Sequence, residues 1–314
     1  MELVLHILTN TIMPIFVLIL LGAILGKTYD IHLPSLSKMY FNVLMPCFLF
    51  VNLYQAEITR EMALAFLFAV LLFVLNYLVS TLVGRRLGMS REELGAFTNA
   101  ASFYNSGNLG LPLITLAFSG SPLQAQALTA QIMVMLFQNT GNISLGVLNV
   151  AHSSAPDWRG LVARIIRMPS IWILPLTIAA RALPVDLSQI PLLWTPAQYA
   201  NSALVGVALV TLGVQLSKNS FRVKDPGVWF AGALRLVGSP LLAWLLIQVM
   251  GFSGAVAQTL FISSAAPAAV NNALIAVEFD SSPRFAAQTV LATTALSSVT
   301  LVGAIYLARI LFPV

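Results

Sequence analysis

Charge is what this chain has least of. Asp, Glu, Lys and Arg make up 9% of 314 residues, against roughly a quarter in a soluble domain, which excludes a water-surrounded globule. A single cysteine, Cys47, excludes an internal disulfide framework and a thiolate metal cluster. The three histidines, His6, His32 and His152, stand near the ends of apolar segments and form no metal constellation. There is no His-Glu-x-x-His, no Asp-rich diphosphate motif and no Gly-x-Ser-x-Gly, so no enzyme activity, cofactor or metal is expected. Residues 1–10 lack Lys, Arg and a small-residue cleavage site, which argues against a removable leader. Missing too is any acid in the middle of an apolar segment. Every Asp and Glu falls in a loop or at a segment end, and Glu278 lies about 16 Å from Pro267 at helical rise. Proton or sodium coupling through a buried carboxylate has no carrier.

Apolar sequence fills the space. Hydrophobic residues reach 58% and mean hydropathy is +0.88. Segments near the 20 residues needed to cross a hydrocarbon core recur at 5–26, 35–54, 62–83, 94–118, 123–150, 170–183, 196–217, 228–250, 254–277 and 285–312. The expected fold is an all-α polytopic membrane protein with ten transmembrane helices. Twelve of the sixteen Lys and Arg residues follow odd-numbered segments, whereas Arg60, Arg181 and Arg309 lie opposite and Arg235 inside the eighth. The positive-inside bias therefore puts the odd-numbered ends in the cytoplasm and both termini outside. It also accounts for the net charge of +5 without nucleic acid.

The longest connection, 151–169, divides the chain into 1–150 and 170–314 with five segments each. Trp158, Leu161, Arg164, Ile165, Ile166 and Arg167 suit either a short amphipathic surface helix or a plain cytoplasmic linker. An odd count per half makes the second half enter from the opposite face, so duplicated halves would be inverted repeats, as in many secondary transporters. The fourth segment cannot be a regular helix, because Asn105, Gly107, Asn108, Gly110 and Pro112 interrupt it. The ninth is interrupted at a matching place by Pro267 and the pair Asn271-Asn272.

Lipid tolerates a broken backbone ladder only where protein or a water-filled cavity satisfies the freed groups. Proline fits the first turn of a helix, so Pro112 and Pro267 are expected to start second half-helices. Two half-helix N-termini, each with free N–H groups and partial positive charge, make an anion site without a charged side chain. Asn105, Gly107, Asn108, Asn271 and Asn272 are the candidate contacts, with Gln138, Asn139 and Arg235 as accessories. The alternative is structural: prolines that kink packed helices, asparagines that cap the breaks, and an Arg235 that snorkels or meets a helix C-terminus.

The interruption Asn105-Ser106-Gly107-Asn108-Leu109-Gly110-Leu111-Pro112-Leu113 resembles the fourth-helix motif of the auxin efflux carrier family. Ala265-Ala266-Pro267-Ala268-Ala269-Val270-Asn271 with Val277-Glu278-Phe279 resembles its ninth. Leu44-Met45-Pro46, Arg167-Met168-Pro169-Ser170 and Arg235-Leu236-Val237-Gly238-Ser239-Pro240 are lesser matches. The resemblance implies two inverted five-helix repeats with helices 4 and 9 crossing, as in bile-acid symporters and sodium/proton antiporters. It implies a dimerising scaffold (helices 1, 2, 6 and 7) and a moving transport domain (helices 3–5 and 8–10). It further implies elevator-type transport of a small organic anion, a mono- or dicarboxylate such as auxin or malonate, with Asn105 in contact with substrate. Met168 and Ser170 replace the Asn residues that flank Pro169 in plant members, which argues against auxin itself, and the short central loop favours a bacterial inner-membrane carrier. The alternatives are a sodium-coupled symporter of bile-acid type and a sensor that keeps the fold without transport. Once Cys47 is replaced, a single cysteine at Gly120 is expected to react with an impermeant reagent only from outside, and one at Ser220 only from inside. The reverse pattern would invert the orientation.

Overall fold

A computed structural model describes residues 2–56, 59–150, 158–167, 169–218 and 225–314. Thirteen helices account for nearly all of this: α1 (Glu2–Thr28), α2 (Leu33–Gln55), α3 (Arg60–Arg86), α4 (Arg91–Ser102), α5 (106–117), α6 (124–150), α7 (Trp158–Ile166), α8 (Pro169–Arg181), α9 (Pro191–Ser217), α10 (Pro226–Met250), α11 (Gly254–Ser264), α12 (Val270–Glu278) and α13 (Pro283–Leu311). Six of them, α1, α2, α3, α9, α10 and α13, are long and apolar enough to cross a membrane. The central connection holds α7, but residues 151–157, Met168 and Ser220 lie outside the described residues, as do the side chains of Trp158, Leu161, Arg164 and Ile165.

The burial pattern is that of a protein in lipid. Leu20, Leu21 and Ile24 of α1, Leu78 and Leu82 of α3 and Val299 of α13 face outward, while Asn76, Asn99, Gln131, Gln138, Asn142 and Arg235 are buried. Polar groups are collected inside because hydrocarbon offers them no partner.

Four of the prolines within helices are preceded by wide turns. π turns at Leu8–Ile12, Tyr40–Leu44, Ser106–Gly110 and Leu234–Gly238 each end two residues before a proline: Pro14, Pro46, Pro112 and Pro240. Proline removes an N–H and its ring presses on the carbonyl four residues back. One extra residue in the preceding turn moves that carbonyl aside while the helix continues. This gives a physical reason for the prolines in the second and eighth segments.

Helices α1, α2, α8 and α9 pack on one another, and α3–α6 with α10–α13 surround the two interruptions. The tightest seam joins α1 and α9. A Cβ placed on Gly22 would stand 2.1 Å from the Val210 carbonyl oxygen, and one on Gly213 would stand 2.0 Å from that of Ile19. Backbone therefore lies on backbone, as small residues permit in membranes. At the far end of this group, Arg181 donates to the carbonyls of Leu53 and Ala56 where α2 stops. Gly22→Ala and Gly213→Ala are each expected to lower stability by about 1–3 kcal/mol, read as a fall in Tm in detergent. Gly206→Ala, where the added Cβ meets nothing within 4 Å, is expected to keep Tm or raise it slightly.

Candidate functional site

The two interruptions meet. Helix α4 ends at Ser102 and α11 at Ser264, and the extended residues that follow pair antiparallel at Tyr104 and Ala268. The Asn105 N–H donates to the Pro267 carbonyl at 2.8 Å, and the Ala269 N–H to the Phe103 carbonyl at 3.0 Å. Each break thereby supplies hydrogen bonds that the other lacks.

The second half-helices do not begin at the prolines as expected. Helix α5 starts at Ser106, six residues before Pro112, because Asn105 is its N-cap: the Asn105 Oδ1 accepts the Asn108 N–H at 3.1 Å. Helix α12 starts at Val270, and Pro267 lies in the extended crossing stretch before it. Among the described residues, the N–H groups of Gly107, Val270 and Asn271 meet no backbone carbonyl outside their own helices. These are the free donors of helix starts.

A cavity of 20 Å³ opens between the two starts, lined by Phe41, Met45, Tyr104, Asn105, Ser106, Gly107, Asn108, Asn139, Ala269, Val270 and Asn271. It has room for about one water. Asn105, Gly107, Asn108, Asn139 and Asn271 are thus brought to one place. The Asn105 side chain is buried, and its Nδ2 has no partner among the described residues. Adjoining this space is a larger chamber of 280 Å³, which shares Phe41, Asn139 and Asn271 and adds Ile143, Pro169, Leu274, Ile275 and Glu278. Its walls are chiefly apolar.

Other candidates turn away from the cavity. The Asn272 Nδ2 donates to the carbonyls of Asn99 (3.1 Å) and Phe103 (3.0 Å), and its Oδ1 accepts from Asn142 Nδ2 at 2.7 Å. It ties the start of α12 to the C-terminal end of α4. Gln138 lies behind Tyr104, with its Oε1 accepting the Tyr104 N–H at 3.2 Å.

Arg235 is fully buried and does not line either space. Its guanidinium donates to the Ala101 carbonyl at 2.8 Å, to the Ser264 carbonyl and to Ser239 Oγ, and lies 4.6 Å over the Tyr104 ring. Asn76 Nδ2 donates to the same Ser239 Oγ at 3.1 Å, which fixes the hydroxyl. Ala101 and Ser264 belong to the last turns of α4 and α11, so one cation serves two negative helix ends. The two positive ends, α5 and α12, are left to the cavity.

Sequence reasoning missed Tyr104, Gln131 and Tyr40. Gln131 Nε2 donates to the Ser106 carbonyl at 2.8 Å, and its position seven residues before Gln138 puts both on one face of α6. Tyr40 carries a buried hydroxyl without a partner among the described residues, and nothing in its apolar surroundings signalled it.

Asn272→Ala is expected to remove about 2–4 kcal/mol of stability, because it leaves buried groups of Asn99, Phe103 and Asn142 short of partners. A large fall in Tm is the readout; an unchanged Tm would dismiss the tie between α12 and α4.

Known proteins bear on this arrangement in two ways. The chain is 27% identical over 300 residues to an uncharacterized transporter of Methanothermobacter thermautotrophicus, covering 93% of this chain and 96% of the relative. The family model described as membrane transport protein matches residues 7–141 and 165–305, on either side of the central connection. The chain, with its two interrupted helices joined at Tyr104 and Ala268, belongs to the membrane transport protein family, that of the auxin efflux carriers.

Proposed function

We propose that this multi-pass membrane protein is a secondary transporter of a small organic anion, bound by its carboxylate between the starts of α5 and α12. The observation that carries the reading is the buried, unpartnered Nδ2 of Asn105 beside free N–H groups of two half-helices. These are neutral donors aimed at one small space, with partial positive charge from both helix ends. A carboxylate satisfies them; a cation meets donors where it needs oxygen ligands. Asn108, Asn139 and Asn271 complete the polar wall, and Asn272 and Gln138 hold it in place.

The larger chamber suits the body of the anion. Pro169 and Glu278 at its rim belong to the ends that loop charges assign to the cytoplasm, so this conformation is inward-facing. The crossing cavity is too tight for a carboxylate as it stands, and binding widens it. In this reading α1, α2, α8 and α9 are the dimerising scaffold, and the helices around the crossing move as an elevator past it. Two inverted five-helix repeats in a bacterial inner membrane, with both termini outside the cytoplasm, fit the same reading.

Purified protein in liposomes is expected to take up labelled carboxylates without sodium. Uptake that requires sodium would favour the bile-acid type of symport, and no flux of any anion would favour a sensor. Asn105→Ala is expected to weaken substrate binding by about 10–100-fold, the value of one hydrogen bond to a charged group, with the protein still folded. Asn105→Ser, which keeps a capping oxygen and drops the amide donor, separates capping from binding: it is expected to bind as weakly as the alanine variant with a higher Tm.

A further inference from the structure

The crossing contains four helix ends and one charge. Two C-termini, α4 and α11, carry about half a negative charge each, and two N-termini, α5 and α12, about half a positive charge each, so the ends cancel. Arg235 does not cancel. It is the one buried charged side chain among the described residues, and no described carboxylate lies within ion-pair distance of it. Guanidinium keeps its proton in proteins, and a buried charge without a counter-ion is costly in lipid.

The position of this charge relative to the cavity is informative. Tyr104 lines the cavity with its own atoms and carries the Arg235 guanidinium 4.6 Å from its ring centroid. Charge and cavity therefore share one residue, Tyr104. Neither Ala101 nor Ser264, which bind the guanidinium through carbonyls, brings a formal charge. No counter-charge stands beside the guanidinium among the described residues, and the cavity that binding would widen lies next to it.

We propose that Arg235 sets the charge balance of the moving unit: the bound substrate is its counter-ion, so a singly charged anion makes the loaded crossing neutral and the empty crossing returns with one positive charge. This rests on the transporter reading above and adds the substrate's charge. A monovalent carboxylate is selected over a divalent one, which would leave the loaded unit negative. Charges at helix ends stay near the membrane surfaces and add little. Voltage then acts on the empty return step and not on the loaded step. One elementary charge through the full field changes an equilibrium by about 50-fold per 100 mV.

The test uses the full chain in liposomes with the potential set by potassium gradients and valinomycin. Labelled lactate and mandelate are the monovalent probes, and malonate and succinate the divalent ones. Flux is measured at two potentials about 100 mV apart, once in full exchange with the same anion on both sides and once as net efflux. Monovalent exchange is expected to change by less than about twofold and net efflux by about fivefold or more. Arg235→Gln is expected to reverse this order, with exchange becoming the voltage-sensitive mode, whereas Arg235→Lys keeps the wild-type order. A merely structural arginine would lower all fluxes without exchanging their voltage dependence. Should Arg235→Gln fail to fold, the wild-type pair still decides. Monovalent exchange as steeply voltage-dependent as net efflux overturns the charge balance while leaving the carrier intact. Flux of malonate or succinate above that of both monovalent anions overturns it too, and no flux of any of the four overturns both readings.

Discussion

Two hydrogen bonds between two broken helices hold this structure's centre together. A gap in a helix leaves N–H and C=O groups without partners, and hydrocarbon supplies none. Here the gap after α4 and the gap after α11 satisfy each other, through Asn105 to Pro267 and Ala269 to Phe103. Neither interruption is tenable alone at that depth. Their pairing fixes where four half-helix ends lie, and Arg235, Asn272 and Asn105 are arranged with respect to those ends.

The arrangement separates signs. Arg235 takes the carbonyl ends of α4 and α11 and is held by Ser239 and Asn76. Asn272 takes up the last carbonyls of α4 and meets Asn142 of α6. With the negative ends occupied by protein groups, the small cavity is left to the helix starts and to the unpartnered Nδ2 of Asn105. The same neutral residue type thus has two uses at consecutive positions: Asn271 faces the cavity and Asn272 is a structural tie. Around this core, wide turns before Pro46 and Pro240 and glycines at the α1–α9 seam let helices bend and approach without breaking more backbone bonds.

Much was legible in residue order. Asn105, Gly107 and Asn108 mark a helix that cannot run on, and Pro267 marks another. Lys and Arg in alternate loops give an orientation. Arg235 stood out because a charge in an apolar segment is rare, and a helix C-terminus was among its expected partners. The starts of the second half-helices were misread, because proline tolerance at a first turn does not require proline there; the Asn105 side chain does the capping instead. Gln131 and Tyr40 were passed over as ordinary residues of apolar helices.

Composition, spacing and loop charge are local properties, and by themselves they determined that the chain lives in a membrane and where its helices fail. Partners are not local. Asn272 reaches the Phe103 carbonyl across 169 residues of chain, and Arg235 reaches Ala101 across 134. Which asparagine faces the cavity depends on the rotation of α12, and α12 is rotated by packing against α13, α4 and α6. Only the tertiary structure decided that, since a helix in lipid turns whichever polar side chains it has toward whatever protein lies beside it.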